Sequence, residues 1–340
     1  MKKEIKLFDL DSMDHNKSTV EGLVRSAGKW INENQDKKDK YNIVLMRTLE
    51  GEIHFNQKDY FLTTIHEVIK NWPKEQIFLV MSDVNLEKNL NDWFKGAGAS
   101  TPPVVPISHP LALLKRTQLY ANNKNIKQPK LHHNILSRFI CLNAAAKPHR
   151  AKMVNQLISS NQDRFGYISW LNRYGVLPSN FYKDMIFKGK EMLIDFDNNS
   201  IDQAHNQDVL PSQYHYAGFE IVNESIVSDT SLFITEKTWK PLFYHKVFLP
   251  HGPRGMITYL KELGFELFEE ELGLNYSEWD NLSYNERWIG LLKDLETLMN
   301  MTVEDWEMFY ERPDISLALN KNSTLARTIN VPQWTDKINE

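Results

Sequence analysis

Thr235, Glu236 and Lys237 stand together in FITEKTWKPLFYHKVFLPHGPRG (233–255), where a loop gives way to a short helical pattern. A helix start offers unpaired N–H groups and a partial positive charge. A lysine there works against the helix dipole but suits an anion, and a neighbouring glutamate can accept hydrogen bonds from sugar hydroxyls. The pair fits a phosphate beside a ribose. It fits equally a glutamate that serves the helix dipole and a lysine in solvent.

Other chemistry-bearing groups are scattered. EMLIDFDNN carries Asp195-Phe196-Asp197, two carboxylates two apart. On a strand they share a face and could hold Mn or Mg with a diphosphate. His132, His133 and His149 are not at metal-ligand spacing with any cysteine and read as solvated or capping residues. Cys141 is the one cysteine, so no intramolecular disulfide and no Cys-based zinc site can form within one chain. Its surroundings, RFICLN, mark it as a buried thiol. GAGAS (96–100) is no dinucleotide fingerprint, and neither a nucleophile elbow nor a Walker motif occurs. Lys115, Arg116, Lys124, Lys127, Lys130 and Arg138, with Tyr120 among them, form a basic stretch: a solvated surface or the seat of a polyanionic acceptor.

The bulk numbers narrow the class. A chain of 340 residues has a prior of about two domains, and 41% hydrophobic with 25% charged residues is ordinary for a soluble globular protein. A formal net charge of −4 argues against binding nucleic acid by bulk electrostatics. No uncharged apolar window is long enough for a membrane span, and MKKEIKLFDLDSMDHN lacks a signal peptide's apolar core. A cytoplasmic location, bacterial or in a phage-infected host, is the expectation.

The first third alternates strand and helix signals. EIKLFDL (4–10), YNIVLMRT (41–48) and QIFLVMSD (76–83) read as strands. Residues 18–34, with Ser18 and Glu21 as a capping box, and residues 60–72 read as helices. Gly96 to Pro110 is rich in Gly and Pro and reads as a loop, and 111–120 as a short helix. A second βα series follows: strands at 138–145, 165–170, 217–225 and 246–252, helices at 147–160, 237–245 and 255–265, and a polar insert over 171–216. Pro241 keeps its helix short or kinked. The tail is helical, with capping-box pairs Ser283/Glu286 and Thr302/Asp305. The expected fold is α/β, two Rossmann-like domains with an interdomain cleft. Ligands of such sheets bind at the carboxyl ends of the strands.

The run GFEIVNES…LFITEKTWKPLFYHKVFLPHG resembles the donor-binding motif of the α-1,3-fucosyltransferase family and its soluble bacterial and phage relatives. GMITYLKELGFELF, NYSEWDNLSYNER and FICLNAAAKPHRAKMVNQL look like the family's flanking pieces, in the same order, over roughly residues 137 to 300. The resemblance implies the twin-Rossmann (GT-B) glycosyltransferase architecture. It implies that Lys237 and Arg150 neutralise the diphosphate of a nucleotide sugar, that Glu236, beside Thr235, holds the ribose, and that Glu224 lies near the donor sugar. Phe233 stands where fucosyltransferases usually show Tyr, which keeps a ring but loses a hydroxyl.

The chemistry is coherent. Breaking a sugar–phosphate bond passes through an oxocarbenium-like state, and the leaving diphosphate gains charge. Cations placed there act on the transition state more than on the ground state. With a Lys–Arg clamp a metal is redundant, and no metal or cofactor is expected. The acceptor hydroxyl needs a carboxylate or His as base. Asp83, at the end of the third strand, is the candidate, with Glu52, His54 and Asp11 as competitors.

The expectation is an inverting, metal-independent glycosyltransferase. An acceptor domain would cover residues 1–135, a nucleotide-sugar domain 136–301 and a helical tail 302–340. The partners would be a nucleotide-sugar donor and a bacterial surface glycan as acceptor. Two alternatives are a phage-type enzyme acting on a hydroxymethylated DNA base, and a nucleotide-sugar-binding module without turnover.

Overall fold

The computed structural model describes residues 3–9, 20–47, 72–96, 98, 102, 104–121, 134–170, 177–187, 192 and 210–339. Among these, the chain is α/β with two four-stranded parallel sheets. Contacts divide it into two compact units. Unit 1 comprises residues 1–115, 230–233 and 330–340; unit 2 comprises 116–229 and 234–329. No helix among the described residues is long and apolar enough to cross a membrane.

The sheet of unit 1 runs β1 (Glu4–Asp9), β2 (Tyr41–Arg47), β3 (Ile77–Met81), β4 (Val105–Ser108), in that spatial order. Strand β3 is buried throughout, as a central strand of a parallel sheet should be. Helix α1 (Val20–Glu33) packs Ala27 and Ile31 onto Ile43, Leu45 and Leu79, together with Leu86, Leu90 and Phe94 of α2 (Leu86–Gly96). Ser18 and residues 60–71 of the helix expected over 60–72 lie outside the described residues; Trp72 is described and buried.

Strand β4 corrects the reading of 96–110 as a loop. Val105-Pro106-Ile107-Ser108 pairs in parallel with Phe78–Met81. Proline lacks the N–H a central strand needs, but β4 lies at the edge of the described sheet, where it is tolerated.

The sheet of unit 2 is ordered β6 (Gly166–Ile168), β5 (Ser137–Cys141), β7 (Ala217–Asn223), β8 (Val247–His251). Helix α3 (Ala112–Ala121) precedes it and α4 (Pro148–Ser159) follows β5. The chain leaves β5 toward β6 on one side and returns to β7 on the other. The gap between the carboxyl ends of β5 and β7 is therefore a topological switch point, where ligands of open parallel sheets bind. All residues of β7 and β8 are buried.

Helix α5 (Glu236–Phe243) spans eight residues with Pro241 inside, short as expected. Then follow α6 (Met256–Glu262), α7 (Glu269–Leu272), α8 (Tyr276–Trp279), α9 (Tyr284–Asn300), α10 (Val303–Glu311), α11 (Pro313–Thr328) and α12 (Trp334–Asn339). Trp306 of α10 packs on Phe219, and the Tyr310 hydroxyl donates to the Gly218 carbonyl at 2.6 Å. Gly218 has no room for a side chain: a Cβ would sit 2.5 Å from the Trp306 ring.

Candidate functional site

The site begins with the peptide that ends β7. Glu224 is fully buried, one residue past the strand. One of its carboxylate oxygens accepts from the Thr235 N–H at 2.9 Å and the Thr238 hydroxyl at 2.6 Å; the other accepts from the Thr235 hydroxyl at 2.6 Å and the Ser225 N–H at 3.0 Å. Glu224 thereby ties the strand end to the first turn of α5. Thr235 is the helix N-cap, its Oγ1 accepting from the Lys237 N–H at 3.4 Å.

Cations gather on the same peptide. Arg150, in the first turn of α4, is 2% exposed and donates to the Glu224 carbonyl through Nε at 3.3 Å and Nη2 at 3.1 Å. Its Nη1 donates to the Ala145 carbonyl at 3.3 Å. Among the described residues Arg150 forms no ion pair, although Glu224 and Glu236 act on it from further away. Lys237 places Nζ 2.7 Å from Glu236 Oε1, 3.3 Å from Ser225 Oγ and 3.4 Å from Thr235 Oγ1. Lys147 donates to the Ser225 carbonyl at 2.7 Å. Three cationic heads thus sit around Glu224–Ser225, facing the two carboxylates of Glu224 and Glu236.

Burial pushes the Glu236 carboxyl up, but the ammonium groups of Lys237 and Lys240 and the hydrogen bond from Lys237 outweigh it and hold the group down at about 2. His149 is buried, and its Nε2 lies 2.8 Å from the Glu224 carbonyl. A carbonyl only accepts, so Nε2 carries the proton. Burial and the neighbouring Arg150 bring this imidazole down to about 3, so it is neutral. His149 was expected as a solvated or capping residue; it is an internal hydrogen-bond donor instead. Lys147 and His149 are the contributors that sequence reading missed. The signal lay in KPHR, where a proline at N1 puts the three polar residues around one helix start.

Arg150, Glu224, Thr235, Glu236 and Lys237 are brought together. Two other expected site residues are not part of this cluster. Phe233 is 1% exposed and belongs by its contacts to unit 1, so its ring offers no stacking face to solvent. Asp83, also in unit 1, is fully buried just past β3. Its carboxylate accepts from the Asn85 N–H at 2.8 Å, the Leu232 N–H at 3.0 Å and Asn89 Nδ2 at 2.9 Å. Those bonds pin residues 230–232 to the end of β3. The Asp83 carboxylate is thus enclosed, and both of its oxygens already accept hydrogen bonds.

Arg138 is turned inward from the expected basic stretch, with Nη1 on the Met299 carbonyl at 2.6 Å and its guanidinium over Phe165. Asp11, Glu52, His54, Lys124, Lys127, Lys130, His132, His133, Asp195 and Asp197 lie outside the described residues. Cys141 is buried as expected, its thiol pushed up to about 12 by burial.

Chemically, the cluster is a cationic cradle at the carboxyl ends of β5 and β7, between the N-termini of α4 and α5. It can neutralise an anion and offers Glu236 as a hydrogen-bond acceptor beside it. Comparison of the chain with protein-family models, with curated proteins and with solved structures found no match.

Proposed function

We propose that this chain is a glycosyltransferase of the GT-B architecture, with its donor site in unit 2. It would move a sugar from a nucleotide-diphospho-sugar to an acceptor hydroxyl with inversion and without a metal. The observation that carries the proposal is the meeting of Arg150, Lys147 and Lys237 on the Glu224–Ser225 peptide, at the switch point of a parallel sheet. A buried guanidinium bonded only to carbonyls among the described residues keeps its charge uncompensated at close range, which favours a bound anion.

In the proposed reaction the acceptor oxygen attacks the anomeric carbon opposite the leaving group. The new C–O bond forms as the sugar–phosphate bond breaks, and the electron pair leaves with the diphosphate. Lys237, Lys147 and Arg150 stabilise the charge that grows there, in place of a divalent cation. Glu236, ionised at neutral pH, accepts from the ribose hydroxyls. The acceptor proton passes to a base. The enclosure of Asp83 gives no support to it in that role, so Asp11, Glu52 and His54 are the groups to screen. A bacterial surface glycan is the proposed acceptor.

The same enclosure favours one rival, a module that binds the nucleotide sugar without turning it over. Both readings are tested by a thermal-shift panel of GDP-, UDP-, ADP- and CMP-sugars, followed by an assay for nucleoside diphosphate release with glycan acceptors. The enzyme reading expects a stabilising donor and release that depends on acceptor. Stabilisation without release would leave the binding module, and no stabilisation by any donor would remove both.

A further inference from the structure

The buried carboxylate of Asp83 is a group that the proposed reaction leaves unused. Burial pushes it up from its ordinary value against the hydrogen bonds it accepts, and among the described residues no cation pairs with it. A carboxylate buried without a cation costs stability unless hydrogen bonds satisfy it. One oxygen accepts from the Asn85 and Leu232 N–H groups, the other from Asn89 Nδ2. The Leu232 carbonyl in turn accepts from the Val84 N–H at 2.9 Å, so both backbone groups of Leu232 are tied to the residues that follow β3. Asn85 Nδ2 donates to the Thr230 carbonyl at 2.9 Å, and Asn89 Nδ2 to the same carbonyl at 3.2 Å. Ser108, the last residue of β4, donates its hydroxyl to the Asp83 carbonyl at 2.7 Å and steadies the anchor. All of these residues belong to unit 1.

The anchored residues are an excursion of the unit 2 chain. The chain leaves unit 2 after Asp229, contributes 230–233 to unit 1 and re-enters unit 2 at Ile234. On the outgoing side Arg287 donates to the Val227 carbonyl at 2.9 Å, and the Tyr284 N–H donates to Asp229 Oδ2 at 3.2 Å. On the returning side Thr235 is bound to the Glu224 carboxylate through its N–H and its hydroxyl. The excursion therefore starts from one half of the cradle, Glu224–Ser225, and ends on the other, Thr235–Lys237.

The tether between anchor and cradle is short. Only Phe233 and Ile234 separate Leu232 from Thr235, so it spans at most about 11 Å of extended chain. Those two residues are 1% and 2% exposed, which leaves no solvated loop to take up slack. A displacement of Leu232 therefore reaches Thr235. Thr235 caps α5 and also lies against Lys237, whose Nζ is 3.4 Å from its Oγ1. Moving Thr235 moves Lys237 relative to the Glu224–Ser225 peptide, where Arg150 and Lys147 are bound.

Resting on the donor reading above, we infer that Asp83 is a positioning residue of the cradle: it fixes residues 230–232 and, through them, sets where Thr235 and Lys237 meet a bound diphosphate. It touches neither donor nor acceptor. Capping the turn after β3 needs only the bond to the Asn85 N–H. The bond to the Leu232 N–H reaches 149 residues along the chain, to the segment that joins the two halves of the cradle. Without that hold the cationic groups remain but are less well placed. Residues that act on a site without touching its ligand change affinity by roughly twofold to thirtyfold.

The test is calorimetric titration of the full chain with GDP, UDP and ADP, paired with amide hydrogen exchange over residues 225–237, at a temperature where every variant is folded. Asp83→Ala removes both acceptor oxygens, whereas Asp83→Asn keeps the one that holds Leu232. Ile31→Val, in the core of unit 1, controls for loss of stability alone. The expected result is a diphosphate that binds the wild type and binds Asp83→Ala about fivefold or more weaker, with Asp83→Asn and Ile31→Val within about twofold of the wild type. Exchange should quicken at Ser225, Leu232 and Thr235 in Asp83→Ala and stay unchanged in Ile31→Val. Wild-type affinity in Asp83→Ala would reduce Asp83 to a structural cap and overturn the inference. Equal weakening in Ile31→Val would trace the effect to stability and overturn it too. If Asp83→Ala does not fold, Asn85→Ala takes its place, since it removes one bond to the Thr230 carbonyl from a half-buried side chain. Weaker binding with faster exchange in that variant supports the inference, and wild-type values overturn it. If no diphosphate binds the wild type, the donor reading itself falls and takes this one with it.

Discussion

At the scale of single residues, Glu224 and Lys237 play opposite parts. The carboxylate of Glu224 accepts four hydrogen bonds in full burial, so Glu224→Gln turns one accepting edge into a donor that faces other donors. It should destabilise unit 2 by about 2–3 kcal/mol, read by chemical denaturation, even without ligand. Lys237 is partly exposed and bonds only at its tip, so Lys237→Ala should leave stability within about 1 kcal/mol and fall on anion binding instead. It also removes the nearest ammonium from Glu236, so burial should then raise that carboxyl from about 2, a change visible in an NMR pH titration. Asp83→Asn replaces one of the oxygens that hold residues 230–232 and should cost about 1–2 kcal/mol of stability while leaving any pH–rate profile unmoved. A profile that loses its basic limb in Asp83→Asn would return Asp83 to the role of base.

At the scale of elements, α4 and β8 each insert a neutral histidine into the second sheet's carboxyl edge. His149 is down at about 3, and His251 lies well below its ordinary value, burial leading in both cases. Both stay unprotonated in the fold at pH values where the unfolded chain takes up protons. The contribution of His149 is therefore complete above about pH 6.5 and lost as pH falls from there toward 3, and that of His251 is lost in the same direction, each at no more than about 1.4 kcal/mol per pH unit. Denaturation at pH 7, 6 and 5 should show that slope, and a flat profile would contradict the neutral assignment. Helix α9 needs Gly290, where a Cβ would lie 2.3 Å from Trp279; Gly290→Ala should cost about 1–3 kcal/mol. Much of this layer was legible in the sequence. The βα rhythm, the Thr302/Asp305 box with its reciprocal bonds, and the brevity of α5 all follow from local spacing. Strand β4 was hidden because Pro106 imitates a loop signal and only its position at a sheet edge makes it acceptable. Lys147, His149 and His251 were hidden for another reason. Their roles depend on the Glu224 and Ser225 carbonyls and the Asn223 side-chain amide, between 28 and 78 residues away in sequence, and contacts so distant leave no local residue-type signature.

At the scale of the whole molecule, the chain builds two units from non-contiguous stretches. Residues 230–233 and 330–340 join unit 1, while 302–329 stay with unit 2. A ligand that binds the native chain and not the unfolded one stabilises by mass action, about 2.7 kcal/mol at a hundredfold excess over Kd. The proposal of a donor site stands on a pyrophosphate held by Lys147, Arg150 and Lys237, and its direct test is the Kd of nucleoside diphosphates for the wild type and for Lys237→Ala. The expected result is that at least one diphosphate binds, that the corresponding nucleoside without phosphates does not, and that Lys237→Ala weakens binding by about tenfold or more in a folded protein. A wild type that binds no diphosphate, or a Lys237→Ala variant that binds as tightly as the wild type, would contradict it.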